Sequence, residues 1–410
     1  MIFSIFFRKR LLSVLLLGFS SGLPIALTLS TLQAWYTQAG VPIIAIGALS
    51  LVGIPYVWKF LWAPLIDRFA LPWGGRRRGW IALMQIGLAI SIFILAQLNP
   101  AETPLLMGMM AIVIAFLSAT QDIAIDAYRT DILLPEERGV AIASYIFTYR
   151  MAVLISGGFA LLIADWWGFR ITYEIMAALM LLSVITTYFS PEIRSEIKAP
   201  QNMIAAIVDP IKEFFQRDSV WLLIIFILLY KAGDALALSL MSNFLLKGLG
   251  FSLTQVGIAF KTVGLFATIF GAFVGGGLLA RLNIFRALMY FGLAQAFSNL
   301  MFVVLAMVGK DYSVMLAAMF IESFCSGMST AALFAFLTGQ CDIRYSAVQY
   351  ASFSAIASVG RTVLGPVAAV MVANLGWVNF YAWSFVLCFP GLIVLGFMRN
   401  KVRLYAEVVQ

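Results

Sequence analysis

Asp122, Asp126 and Arg129 stand at i, i+4 and i+7 in SATQDIAIDAYRTD (118–131), at the end of the apolar run PLLMGMMAIVIAFL. On a helix the three share one face, with the guanidinium one turn beyond the second carboxylate. Two carboxylates that close resist joint ionisation, and removal from water favours the neutral acid. Such a pair is suited to taking up and releasing a proton near neutral pH. The chain has no histidine, so the usual proton switch at that pH is missing and proton chemistry falls to carboxylates. A second reading makes Asp126 and Arg129 a latch at the rim and leaves Asp122 as the deeper, costlier group.

Ionisable residues recur inside other apolar runs. The cations are Lys59, Arg150, Lys231, Lys261 and Arg361. The carboxylates are Asp122, Asp126, Asp234 and Glu322, with Asp165 and Glu174 nearer an edge. Each costs about 2.5–3.5 kcal/mol at the centre of a membrane helix, so it persists by facing a partner or a water-filled path. Arg150 and Arg361 present planar forks that fit a carboxylate on a ligand; the alternative is an ion pair with Asp122 or Glu322. Lys231 and Asp234 are three apart in YKAGDALALS and can meet along one face, as part of a binding site or as a neutralised pair. Lys59 lies a turn from the end of its run, where its stem can snorkel or its charge can serve the site. Gln33, Asn243 and Gln121 offer amides suited to sugar hydroxyls and are counted with the binding residues. Trp35 and Tyr36 read as an interfacial belt. Three scattered cysteines form neither a disulfide framework nor a metal cluster, and no metal or cofactor other than a coupling proton is expected.

The elements that position these residues follow from composition. Of 410 residues, 62% are hydrophobic and 11% charged, and mean hydropathy is +0.98; a soluble domain carries about a quarter charged residues. Lipid is therefore the solvent for most of the chain, and helices of about 20 residues are the spanning unit. Short alternating segments of a β-barrel are absent from the sequence. Apolar runs fall at about 11–36, 43–65, 80–98, 104–127, 139–164, 170–190, 220–246, 253–280, 285–308, 312–338, 346–373 and 377–398. The basic, apolar start reads as an uncleaved first span. The predicted domains are a six-helix bundle over 1–190, a cytoplasmic linker over 191–219, and a second six-helix bundle with a short tail over 220–410.

With a cytoplasmic N-terminus, nineteen Lys and Arg lie in or beside cytoplasmic segments, and only Arg170, Lys247 and Lys310 lie outside. The positive-inside rule thus puts both termini and the linker in the cytoplasm. It also accounts for the net charge of +8 without a nucleic-acid partner. The halves repeat at an offset of about 210: Gly40 falls on Gly250, Gly47 on Gly257 and Gln33 on Asn243. At 211, Arg150 falls on Arg361 and Asp131 on Asp342. A duplicated six-helix unit implies a site between the halves near the midplane.

The loop KFLWAPLIDRFALPWGGRRRGW (59–80) resembles the signature of the major facilitator superfamily. Together with GFSSGLPIALTLSTLQAW, SATQDIAIDAYRTDILLPEERG and YRMAVLISGGFALLIAD, it resembles the AmpG-type muropeptide permease family. That resemblance implies an all-α polytopic membrane protein of twelve helices in two pseudo-symmetric bundles. It further implies proton-driven import of anhydromuropeptides across the bacterial inner membrane, by a carrier expected to be monomeric. Asp67, Arg68, Arg76, Arg77 and Arg129 would then gate the cytoplasmic side. Asp122 and Asp126 would couple the proton. Arg150, Arg361, Lys231, Asp234, Gln33, Asn243, Gln121 and Lys59 would meet the cargo.

Two other classes compete. DIAID has the D-x-x-x-D form of a Mg²⁺-diphosphate motif in membrane prenyltransferases. Such enzymes need a second copy, and the positions 211 residues on are Leu333 and Leu337. A transporter of another anionic solute or sugar, or a drug/proton antiporter, would share the fold. Cations in both halves favour an anionic cargo.

Overall fold

The structure is a computed structural model that describes residues 9–63, 66, 69, 71, 75, 77–133, 138–191, 215–216, 219–279, 281–340 and 346–399. Asp67, Arg68, Arg76, most of the 191–219 linker and the C-terminal tail lie outside the described residues. Among the described residues the regular structure is helical, with no strand.

Ten continuous helical stretches are apolar and long enough to cross a bilayer. Two of them, Ser144–Phe189 and Ala355–Met398, have 46 and 44 residues, about twice what a 30 Å hydrocarbon core needs. Each contains a glycine with a left-handed backbone, Gly168 (φ 83°, ψ 163°) and Gly376 (φ 74°, ψ 173°). A side chain is strained at such angles, and the chain turns there between two helices. The described chain thus supplies twelve crossing segments, as the sequence predicts. We number them α1 (Lys9–Gln38), α2 (Ile43–Leu61), α3 (Arg78–Ala96), α4 (Pro104–Ile132), α5 (138–167), α6 (169–189), α7 (Val220–Gly248), α8 (Leu253–Leu279), α9 (Ile284–Val308), α10 (Tyr312–Gly339), α11 (346–375) and α12 (377–398).

The repeat is visible in local geometry. Gly40 and Gly250, which follow α1 and α7, have φ of 77° and 75°. α1 breaks at Leu29 and α7 at Leu240, 211 positions apart against 210 for the two glycines. α7 also breaks at Lys231 (φ −107°, ψ 5°), so the helix is interrupted where a charge enters it.

The helices cluster into two units. One comprises Met1–Val41, Val52–Gln201 and Ser252–Gly257; the other comprises Pro42–Leu51, Asn202–Phe251 and Ile258–Gln410. In the first, α1 lies directly on α5. A Cβ at Gly22 would collide with the Tyr149 carbonyl, and one at Gly18 with Tyr145 and Thr148. The GFSSG stretch therefore lets two backbones touch. Thr148 Oγ1 donates to the Leu15 carbonyl (2.6 Å) and Thr31 Oγ1 to that of Ser156 (2.7 Å). Arg78 at the start of α3 donates to the Thr187 and Tyr188 carbonyls (3.2 and 2.6 Å). Both carbonyls lie in the last turn of α6, where intrahelical donors run out; that of Thr187 also accepts from the Ser190 amide at 3.3 Å. Leu11, Val14, Leu17, Ile81, Ile125 and Tyr128 form the apolar core beneath the acidic stretch of α4.

In the second unit α8 and α10 make the close seam. A Cβ at Gly271 would fall on the Phe324 carbonyl, and one at Gly327 on that of Thr268. α7 meets α12 where Gly233 faces the Ser384 carbonyl and Cys388. Asp311 caps α10, its Oδ1 accepting from the amides of Ser313 and Val314 (2.9 and 3.0 Å). These seams fix Glu322 on α10 and Lys231 and Asp234 on α7. Leu333 and Leu337 are buried with Phe226, Phe336 and Phe353, so the level of α10 that matches the aspartates of α4 in sequence is plain apolar core.

Candidate functional site

Each unit holds a polar cluster inside its apolar helices. In the first, Asp122 of α4 accepts a hydrogen bond from Ser21 Oγ of α1. Tyr145 Oη of α5 donates to that same Ser21 Oγ at 2.8 Å. A directed chain therefore runs Tyr145 to Ser21 to Asp122 across three helices. Asp122 makes no ion pair among the described residues. The cations near it are Lys59 of α2 and Arg129 of α4. The hydroxyls of Tyr56 and Ser118 stand close to one another beside Asp122, but both are buried outside hydrogen-bond geometry.

Asp126 is wetter. It pairs with Arg129 at 3.0 Å, its side chain 47% exposed against 23% for the arginine. The Arg129 guanidinium carbon lies 4.5 Å from the centroid of the Tyr145 ring, a cation–π distance. The shared face read from sequence thus divides. Asp126 and Arg129 pair with each other on α4, Asp122 turns to Ser21, and Tyr145 touches both arrangements.

Other predicted residues fall as follows. Arg77 pairs with Asp131 at 3.2 Å, tying the start of α3 to the end of α4; its loop partners Asp67, Arg68 and Arg76 lie outside the described residues. Arg150 and Arg361 are exposed, and neither makes an ion pair among the described residues, so the alternative pairing with Asp122 or Glu322 does not occur. Gln121 is fully buried and donates to the Ser20 carbonyl at 3.0 Å, against α1. Gln33 and Asn243 are buried as well. Tyr36 is buried rather than interfacial, its hydroxyl donating to the Pro104 carbonyl (2.6 Å). Trp35 stacks on Phe169 with ring centroids 5.4 Å apart.

In the second unit Lys231 and Asp234 do pair, Nζ to Oδ2 at 3.3 Å. Lys231 Nζ also donates to Ser329 Oγ (2.7 Å) and to the Ser326 carbonyl (3.4 Å). Ser326 Oγ donates to Asp234 Oδ2 at 3.2 Å. Gln295 Nε2 of α9 reaches both Asp234 Oδ1 (3.1 Å) and Glu322 Oε1 (3.4 Å), and Ser323 Oγ donates to Glu322 Oε2 at 3.2 Å. Sequence reasoning placed Glu322 among the membrane carboxylates but did not join it to Lys231 and Asp234. It also missed Gln295, Ser326, Ser329, Ser21 and Tyr145. Gln295 carried a signal, a lone amide in the run YFGLAQAF; the serines did not, because small residues also mark close packing. No group of His, Cys, Asp and Glu among the described residues is arranged to hold a metal ion.

Residues 11–341 match the family model described as Major Facilitator Superfamily. The anhydromuropeptide permease of Escherichia coli (strain K12) is 46% identical over 400 residues, 97% of this chain and 82% of that protein. Putative transporter AmpG 4 of Rickettsia conorii (strain ATCC VR-613 / Malish 7) is 30% identical, with 97% and 99% covered. Among solved structures, the nucleoside transporter NupG superposes with a TM-score of 0.75 at 16% identity, over 94% of this chain and 99% of that one. The D-xylose-proton symporter gives 0.69 at 15% identity, over 98% of each. At such identities these structures attest the fold alone.

Proposed function

The chain belongs to the major facilitator superfamily, and from that premise we propose that it imports anhydromuropeptides. The cargo is N-acetylglucosaminyl-anhydro-N-acetylmuramic acid, with or without its peptide. It enters the cytoplasm across the bacterial inner membrane by proton-coupled alternating access, through a monomer with both termini cytoplasmic. The observation that carries this reading is the 46% identity to the anhydromuropeptide permease over 97% of the chain.

The geometry supports a division of labour. Asp122 takes the proton: it is a membrane carboxylate with no ion-pair partner among the described residues, and it accepts from Ser21. Uncompensated charge inside a bilayer is expensive, and a proton removes that charge. Asp126 and Arg129 set the position of Tyr145 and so of the donor chain to Asp122. Arg150 and Arg361, exposed and without an ion pair among the described residues, receive carboxylates of the cargo in planar forks. Gln33, Asn243 and Lys59 add polar contacts, and Arg77 with its loop controls the cytoplasmic side.

The test is uptake of labelled disaccharide into proteoliposomes under an inward proton gradient. Wild-type protein is expected to accumulate it and to lose the accumulation when the gradient is dissipated. Asp122→Asn is expected to keep downhill exchange and lose accumulation. Full accumulation by Asp122→Asn removes Asp122 from coupling. Absence of uptake by folded wild type removes the cargo.

A further inference from the structure

Glu322 is 1% exposed and Asp234 8% exposed, and the division of labour above gives Glu322 no role. The two carboxyl groups lie within reach of one amide nitrogen, Gln295 Nε2, at 3.1 and 3.4 Å. Lys231 is the one cation within ion-pair distance among the described residues. Two carboxylates against one ammonium leave an excess negative charge inside an apolar bundle, where an unpaired charge is strongly unfavourable. The other titratable side chains that face the pair, among those described, are Cys325 of α10 and Tyr381 and Cys388 of α12. None of these supplies positive charge. Arg361 of α11 is exposed and pairs with neither carboxyl.

Gln295 adds an independent observation. It is 3% exposed, its Nε2 reaches both carboxyl groups, and its Oε1 is buried with no donor among the described residues. Turning the amide by half a revolution would place the oxygen where the nitrogen now sits, at 3.1 Å from Asp234 and 3.4 Å from Glu322. That orientation is favourable only if one carboxyl group carries a hydrogen to donate. The hydrogen belongs on Glu322. Asp234 already has Lys231, Ser326 and Gln295 to hold its negative charge, whereas Glu322 has Ser323 and the longer amide contact.

We infer that the Lys231–Asp234–Glu322–Gln295 cluster is a second proton site of the carrier, binding one transported proton on Glu322. The proton adds to a Glu322 carboxylate oxygen when the site opens to the outer solution. It leaves to water from the same oxygen when the site opens inward, and Gln295 turns with it. This rests on the proton-symport reading above and deepens it. With Asp122 carrying one proton and Glu322 another, two protons accompany each disaccharide. The disaccharide bears one carboxylate, so each cycle moves one net positive charge inward.

Net charge makes the inference measurable. An inside-negative potential of about 100 mV acts on one elementary charge as roughly a 50-fold accumulation factor. Wild-type proteoliposomes clamped at that potential without a pH gradient are expected to approach that factor. Glu322→Gln, a same-shape mimic of the protonated acid, is expected to lose the dependence on potential and keep uptake driven by a pH gradient. Potential-independent uptake by wild type overturns the inference, as does unchanged potential dependence in Glu322→Gln. Infrared difference spectra of the reconstituted carrier without cargo test the site whatever the carrier transports. A protonated-carboxyl stretch that persists in Asp122→Asn should be present, be lost in Glu322→Gln and shift in Asp234→Asn. A spectrum that Glu322→Gln leaves unchanged, or uptake that follows a sodium gradient with no such band, overturns it. If wild type takes up no disaccharide while the band behaves as stated, the cargo reading fails and the proton site stands.

Discussion

Lys231→Met is a sharp test of how the second unit is held together. The ammonium lies 3.3 Å from Asp234 Oδ2 and donates to Ser329 at 2.7 Å. At an effective dielectric constant of about 20, the pair alone attracts by about 5 kcal/mol before desolvation is subtracted. Removing one member of a buried pair costs about 3–5 kcal/mol, because the remaining charge keeps its desolvation penalty and loses its partner. Lys231→Met should therefore destabilise the folded carrier by about that much. Asp234→Asn should cost somewhat less, since Ser329 and the Ser326 carbonyl still hold the ammonium. The double variant should recover much of the loss, as neither charge remains. We expect a coupling energy of at least about 2 kcal/mol in the cycle, measured as unfolding free energy of purified protein in bicelles by steric trapping. Contacts that do not couple add to within about 0.5 kcal/mol. Additivity at that level would show that the pair is not a mutual electrostatic contact and would refute the reasoning.

Two further outcomes follow from the seams and the donor chain. Tyr145→Phe keeps the ring beneath Arg129 and deletes the hydrogen bond to Ser21. Stability should fall by about 1 kcal/mol or less, while proton-driven accumulation falls several-fold; unchanged accumulation takes Tyr145 out of the path to Asp122. Gly271→Leu drives a side chain into the Phe324 carbonyl, whereas the same change at Gly276 meets open space. The first should cost about 1–3 kcal/mol as overpacking and the second little, by unfolding measurements on both; equal effects would mean that α8 and α10 are not in direct backbone contact.

Much of this was legible in the sequence because lipid imposes a coarse rule. Backbone groups must be satisfied inside each span, so apolar windows of about 20 residues mark the helices. Gly168 and Gly376 turn the chain where the predicted runs end. The repeat was readable in Gly40 and Gly250, whose left-handed angles agree within 2°. Membrane charge is costly enough that Asp122, Lys231, Asp234 and Glu322 stood out by type alone. The Lys231–Asp234 pair was readable too, because a spacing of three fixes neighbours on one helix.

What the sequence left open were relations between helices. Spacing put Asp122, Asp126 and Arg129 on one face, but the approach of α1 and α5 divided their roles. Ser21 reaches Asp122 because Gly18 and Gly22 let α1 touch α5. Nothing in SSG distinguishes a donor from a packing residue. Arg150 and Arg361 were free to pair with carboxylates as far as sequence could tell; the structure leaves both exposed, with no ion pair among the described residues. Glu322 joins Lys231 and Asp234 only through Gln295, from three helices brought together. One-dimensional periodicity carries the free energy of transfer from water to lipid, and that determined the spans. Hydrogen bonds and ion pairs depend on positions within an ångström across helices, and the packing of small residues at the seams decided those.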